Sequence, residues 1–128
     1  MRIAKTDIPV KFNVPGAIVR QTLDFGDLPA LTSLGAEYFS LGAGTDIAPL
    51  LAGLKDDACQ SAHWGFMITG QVVVTYTDGT EEICSGQDLF YWPSGHSVRV
   101  VDDAEVILFS PQVEHSAVMD HMLVKMAG

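Results

Sequence analysis

The residues Val72-Val-Val-Thr-Tyr-Thr-Asp78-Gly79-Thr-Glu-Glu-Ile-Cys84 carry the clearest structural signal in the chain. A β-branched and aromatic run leads into Asp78-Gly79, and a second run returns to Cys84. Asp-Gly is favoured in two-residue hairpin loops because a type I′ turn needs positive φ at both central positions. Residues 72–84 therefore predict a β-hairpin.

Strand and turn signals continue on both sides of this hairpin. The further predicted strands are 17–25, 37–41, 46–52, 63–69, 88–92, 96–101 and 105–110. Turns are predicted at Gly70-Gln71, at Pro93-Ser94-Gly95 and at Asp102-Asp103, since Gly, Pro and Asp favour turn conformations. Short strands at this regular spacing indicate an all-β sandwich or barrel.

The two ends of the chain have different patterns. Residues 1–16 form a weakly patterned arm that contains two prolines. After Pro111, the residues His115, Val118, Met119 and Met122 follow the i, i+3, i+4, i+7 spacing of an amphipathic helix. We therefore expect one domain over residues 1–128, with the barrel at about 17–111 and a short helix at about 113–126.

Length, composition and charge exclude several classes of protein. The chain has 128 residues, of which 48% are hydrophobic and 18% charged, so an intrinsically disordered chain is excluded. Seven basic residues against sixteen acidic ones give a net charge of −9. Nucleic-acid binding needs a cationic surface, so neither nucleic acid nor an anionic membrane is an expected partner. The first residues show no secretory signal, and we expect a cytoplasmic protein.

Cys59, His63 and His96 are the residues that could bind a metal. Cys59 and His63 are four apart, and in an extended segment an even offset places both side chains on one face. One sulfur and two imidazoles supply three ligands of a tetrahedral zinc site, and a water or a carboxylate completes it. Asp57 has the same phase and could be that carboxylate. Thiolate with imidazole favours zinc over magnesium or calcium.

Each of these residues also has a purely structural interpretation. A lone cysteine is often buried apolar filler, and a lone histidine in a strand is often only hydrogen-bonded. Cys84, His115 and His121 are interpreted in this structural way. The sequence contains no nucleophile elbow, phosphate-binding loop or dinucleotide fingerprint.

Residues 59–111 resemble the cupins, a family of small jelly-roll β-barrels. In the first cupin motif, six residues separate His63 from Gly70, which places His63 at the position of the family's metal-binding glutamate. Cys59 and Asp57 fall at the positions of the two histidines that precede it. The stretch Gly86-Gln-Asp-Leu-Phe-Tyr-Trp-Pro-Ser-Gly-His96 is similar to the second cupin motif. The resemblance implies a cupin barrel with one divalent ion at its mouth. The donor types make Zn²⁺ the expected ion, with Fe²⁺, Mn²⁺ and Ni²⁺ as alternatives.

The resemblance leaves two functions open, because cupins include enzymes, sensors and storage proteins. The chain could be a metalloenzyme that acts on a small molecule, with Asp57 or Glu114 as the candidate base. It could instead be a non-catalytic ligand-binding or sensing module with a structural metal.

The resemblance also implies a homodimer. If His63 and Met67 point inward, Trp64, Phe66 and Ile68 point outward, and a strand that is apolar on both faces needs cover on both. A partner subunit could supply that cover. The N-terminal arm of the same chain is the alternative.

Overall fold

The computed structural model describes residues 1–28 and 32–128. This part of the chain forms one antiparallel sheet, two α-helices and two short 3-10 helices at Lys5–Asp7 and Lys55–Asp57. The strands are β1 (Val10–Val14), β2 (Ala17–Thr22), β3 (Asp27–Leu28), β4 (Thr32–Leu41), β5 (His63–Tyr76), β6 (Glu81–Ser85), β7 (Leu89–Trp92) and β8 (His96–Pro111). The helices are α1 (Ala48–Leu51) and α2 (Gln112–Ala127). The fold class expected from the sequence is confirmed.

The strand order is β1-β2-β4-β8-β5-β6, with β3 added beside β4 and β7 beside β5. The two longest strands, β5 and β8, pair along most of their length, from Trp64 opposite Phe109 to Tyr76 opposite His96. His63 and His96 are the first residues of these two antiparallel strands, so they lie at opposite ends of the ladder. The sheet must curl strongly for the two residues to meet.

The turns predicted at Gly70-Gln71 and Asp102-Asp103 are wrong, because β5 and β8 continue through both positions. The ladder between them instead shifts register around Thr69 and Gln71. Gly70 has φ of +89°, and a Cβ there would lie 2.2 Å from the carbonyl oxygen of Asp103. Only glycine fits this close approach, so the two turn signals mark one shared irregularity of a continuous ladder.

The predicted hairpin joins β5 to β6, but its turn differs from the expected type. Gly79 has φ of +87°, whereas Asp78 does not have positive φ. The N–H of Gly79 donates to the carbonyl oxygen of Tyr76 at 2.9 Å. These features fit a type I turn followed by a left-handed glycine, the common alternative to type I′.

The short segment predicted as a strand at 46–52 instead contains α1. Pro49 lies in its first turn, where a missing N–H costs no helical hydrogen bond. The arm contributes β1, which pairs with β2 from Val10 opposite Arg20 to Val14 opposite Ala17. No helix in the described part of the chain is long and apolar enough to cross a membrane.

Two clusters of buried side chains stabilise this arrangement. The larger one fills the concave side of the sheet and includes Met67, Val72, Val74, Phe90, Trp92, Val106 and Leu108. The smaller one packs the two helices together through Leu51, Cys59, Val118 and Met122. Helix α2 is as predicted, and its buried face carries His115, Val118, Met119 and Met122. Cys59 thus lies where the barrel meets α2.

Candidate metal centre

Strand register brings the three predicted metal ligands together. Residues 63–66 pair with β7, so that His63 lies opposite Trp92. In the same register, Cys59 forms a bridge with His96, and its N–H donates to the His96 carbonyl oxygen at 2.8 Å. Partners that face each other across a ladder share one face, and an even offset keeps that face. Cys59, His63 and His96 consequently all point into the barrel.

The three side chains are buried and close to each other. The distance between Cys59 Sγ and His63 Nε2 is 3.6 Å. The ring centroids of His63 and His96 are 5.1 Å apart. One ligand atom from each residue lies within 4.8 Å of the others, a separation that a single ion between them could span.

Hydrogen bonds determine which ring nitrogens carry the protons. His96 Nδ1 lies 2.7 Å from the carbonyl oxygen of Pro93, which can only accept, so this nitrogen is protonated. Ser110 donates its single hydroxyl proton to Glu37 Oε1 at 2.6 Å. The 2.6 Å bond between His63 Nδ1 and Ser110 Oγ must then be donated by the histidine. Both rings therefore carry an unprotonated Nε2, as a metal ligand requires.

Behind His63 lies a second group of buried polar side chains. The Glu37 carboxylate accepts from Ser110 and from Gln21 Nε2 at 3.4 Å. Its Oε2 also contacts His115 Nδ1 at ion-pair distance, without the geometry of a regular hydrogen bond. The rings of His63 and His115 have centroids 4.3 Å apart. Ligand histidines usually donate their other ring N–H to an outer polar group, and here Ser110 links His63 to the Glu37 carboxylate in that position.

Burial changes the pKa values of the three candidate ligands. It raises the pKa of the Cys59 thiol to about 11, and the nearby Glu37 charge adds to this rise. It lowers the pKa of His63 well below the ordinary value, assisted by His115 and His96. It also lowers the pKa of His96. The imidazoles are therefore neutral and ready to bind a metal, whereas the thiol must lose its proton.

The structure does not bring Asp57 to this cluster. Asp57 is exposed, has φ of +51°, and accepts the backbone N–H of Gly53 at 2.9 Å. The prediction of a shared face assumed an extended chain, but residues 55–57 form a 3-10 turn. Glu114, the other candidate base, is exposed on α2.

Sequence reasoning missed Glu37, Ser110 and His115. Ser110 alternates with Val106 and Leu108 on the inner face of β8, so its inward phase was readable. His115 belongs to the apolar stripe of α2, and a titratable residue in such a stripe is itself a signal. Glu37 gave no comparable local signal, because its role depends on β4 lying beside β8.

The candidate ligands form one end of a cavity of about 620 Å³. Cys59, His63, His96 and His115 line that end. Most of the remaining wall is apolar and comes from β1, β2, β8 and the two helices. A molecule in the cavity could therefore reach an ion held by the three donors.

No protein-family model matches the chain, and no curated protein sequence matches it. Solved structures, in contrast, include proteins whose fold matches this chain. An oxalate decarboxylase from Lactobacillus farciminis has a TM-score of 0.58 and 22% identity over 85% of this chain. The polyketide cyclase RemF from Streptomyces resistomycificus has a TM-score of 0.58 and 14% identity over 87% of this chain and 78% of its own.

A salicylate 1,2-dioxygenase from Pseudoaminobacter salicylatoxidans has a TM-score of 0.56 and 18% identity over 84% of this chain. The chain spans only 32% of the oxalate decarboxylase and 30% of the dioxygenase. These neighbours share the curled antiparallel sheet, and the likeness concerns the fold alone. The chain has a cupin-type fold with one C-terminal helix and a candidate metal-binding site in its barrel.

Proposed function

We propose that this protein is a metalloenzyme that holds one zinc ion with Cys59, His63 and His96 and acts on a small molecule. One observation carries the proposal. The three donors converge in a large cavity, and the one other donor group among the described residues, Glu37, His63 and His115, shares only His63 with them. Catalytic zinc sites typically have three protein ligands and one open position, whereas structural sites have four.

The donor types favour zinc over other divalent ions. One thiolate and two neutral imidazoles are the soft and borderline ligands that zinc prefers. Manganese remains the main competitor, because a similar structure, the oxalate decarboxylase of Bacillus subtilis, has Mn(II) centres. Manganese prefers oxygen ligands, however, and none of the three donors is a carboxylate.

A bound zinc ion would supply Lewis-acid activation of an oxygen or nitrogen atom. The protein's own residues have distinct tasks around that position. Ser110 and Pro93 hold the two imidazoles with their Nε2 atoms directed at the site. His115 lines the same end of the cavity and contacts Glu37, so its ring can hold or pass a proton.

Metal analysis of protein purified without added metal tests the proposal. We expect about one zinc per chain in the parent protein. His63→Ala and Cys59→Ala should each lose most of it. The matched controls are His121→Ala, whose ring bonds the Ala52 carbonyl oxygen, and Cys84→Ala, whose sulfur accepts from Trp92. Full retention of metal by both site variants would contradict the proposal.

A non-catalytic ligand-binding or sensing module is the second candidate. It is favoured by the exposed positions of Asp57 and Glu114, which leave His115 as the only candidate base among the described residues at the polar end of the cavity. Cobalt-substituted protein distinguishes the two candidates. If added azide shifts the visible absorption bands, the fourth position is open, as an enzyme needs. An unchanged spectrum supports the closed site of a binding module.

A further inference from the structure

Most side chains that line the cavity are apolar. Four of the polar ones lie together at what we call its polar end, and the other polar lining residues are Thr45 and Asp46. The four residues at the polar end are the three donors and His115. Phe12, Val14 and Val19 of the first two strands line the body, together with Met119, Met122 and Met126 of α2. Methionine side chains are flexible and adapt to irregular apolar ligands. The body of the cavity is therefore suited to a hydrocarbon skeleton.

The wall offers nothing to balance a negative charge on a ligand. None of the described lining residues is Lys or Arg. The one lining carboxylate, Asp46, adds negative charge, and it accepts the N–H of Ala48, the first residue of α1, at 2.9 Å. A carboxylate in the apolar body would be desolvated without a partner, which is strongly unfavourable.

The basic side chains of the neighbouring strands are engaged elsewhere. Arg20 donates to the Ile8 carbonyl oxygen at 2.9 Å. Lys11 pairs with Asp120 at 3.0 Å, and Arg99 lies 3.5 Å from Glu81. None of these cations lines the cavity. An anionic group could thus be neutralised only at the metal end.

The volume sets the size of the ligand. Cavities of about 300–1,000 Å³ hold small organic molecules and cover most of their surface. At about 620 Å³, this cavity has room for a fused ring system. A ligand of two or three atoms would leave most of the apolar wall in contact with trapped water.

We propose that the substrate is a largely hydrocarbon molecule of ring-system size, with an uncharged skeleton and one oxygen or nitrogen head group directed at the metal end. Small dicarboxylates are excluded, since one carboxylate could meet the metal but the second would lie in the apolar body. The position of the head group rests on the proposed function. The apolar character of the skeleton rests on the cavity wall alone and holds with or without the ion.

Binding measurements with 1-naphthol, which is uncharged at neutral pH, test this inference. We expect metal-free protein to bind 1-naphthol about tenfold or more tightly than 1-naphthoate, which carries the same rings and a carboxylate. Zinc-loaded protein should bind 1-naphthol and show no heat of binding with oxalate. Calorimetry or quenching of Trp92, which lines the cavity, reports binding.

A matched pair of variants locates the bound naphthol. Ala17 lines the cavity and is half-buried, so Ala17→Phe places a ring inside it. The next residue, Ile18, is exposed and does not line the cavity, so Ile18→Phe is the control. We expect Ala17→Phe to weaken naphthol binding about tenfold and Ile18→Phe to leave it unchanged. Unfolding midpoints and zinc content of both variants show whether each still folds.

The outcomes separate this inference from the proposed function. Absence of 1-naphthol binding to metal-free protein, equal binding by both variants, or oxalate binding as tight as that of naphthol would each overturn the inference. If the protein holds no zinc but still binds naphthol in the cavity, the proposed function and the placement of the head group are overturned. The inference that the substrate skeleton is apolar would then still stand. Because the first comparison uses unaltered protein, it holds even if Ala17→Phe fails to fold.

Discussion

Ser110 has the most testable role among the residues around the candidate metal centre. Its side chain is fully buried. Its hydroxyl accepts a hydrogen bond from His63 Nδ1–H at 2.6 Å and donates one to Glu37 Oε1 at 2.6 Å. Ser110→Ala removes one oxygen atom and leaves both partners without this bond. The side chain is not a ligand, so any effect on metal binding must pass through the orientation of His63.

The size of the effect follows from those two bonds. Each buried polar group left without a partner costs about 1–3 kcal/mol, so we expect unfolding free energy to fall by about 2–6 kcal/mol. Loss of a hydrogen bond that orients a ligand histidine weakens metal binding by about 10–100-fold. Zinc affinity is measured by competition with a coloured chelator, and stability by urea unfolding of the metal-free protein.

Ser40→Ala is the matched control. Ser40 also donates to a glutamate, Glu105, at 2.6 Å, but on a half-buried part of the sheet that contacts no histidine. We expect this variant to keep the parent zinc affinity and to lose at most about 1.5 kcal/mol of stability. If Ser110→Ala binds zinc as tightly as Ser40→Ala does, Ser110 does not orient His63 and the reasoning fails.

Three further measurements test other parts of the structure. Burial raises the pKa of the Cys59 thiol to about 11, so protons compete with the metal at every lower pH. Zinc affinity should therefore rise steadily from about pH 6 to pH 9. An affinity that does not change with pH would mean that the thiol is not a ligand. Met67 is fully buried, and Met67→Ala should lower the free energy of unfolding by about 2–5 kcal/mol in urea titrations. Trp64 and Tyr91 stack with ring centroids 5.1 Å apart and are each about half exposed, so we expect a homodimer through this face. Sedimentation equilibrium should then give twice the chain mass of 13.8 kDa, and a value that stays at 13.8 kDa would rule the dimer out.

The convergence of Cys59, His63 and His96 could be anticipated because it depends on local rules. The even offset of Cys59 and His63 and the turn before His96 are both visible in the sequence. Asp57 could not be placed by the same rule, because residues 55–57 leave the extended conformation. A phase argument holds only as far as the strand continues.

The support behind His63 could not be anticipated, because it depends on which strands become neighbours. Glu37 and Ser110 are 73 positions apart, yet their side chains form a 2.6 Å bond since β4 pairs with β8. The turn signals at Gly70 and Asp102-Asp103 were ambiguous for a related reason. Glycine can end a strand or let a second backbone approach it, and only the paired strand decides between the two. The dimer and the cytoplasmic location stay predictions.

The meeting of His63 and His96 from two strands that run in opposite directions has a further consequence for the unfolded chain. An ion bound to both rings would act as a reversible crosslink that closes the loop of residues 63–96. A covalent bridge across a loop of this length stabilises the folded protein by about 3–4 kcal/mol, because it lowers the entropy of the unfolded chain. A chelator would therefore act on this chain much as a reducing agent acts on a disulfide-bonded one. In the metal-free protein, we expect the barrel to open first between the N-terminal ends of β5 and β8, which carry His63 and His96.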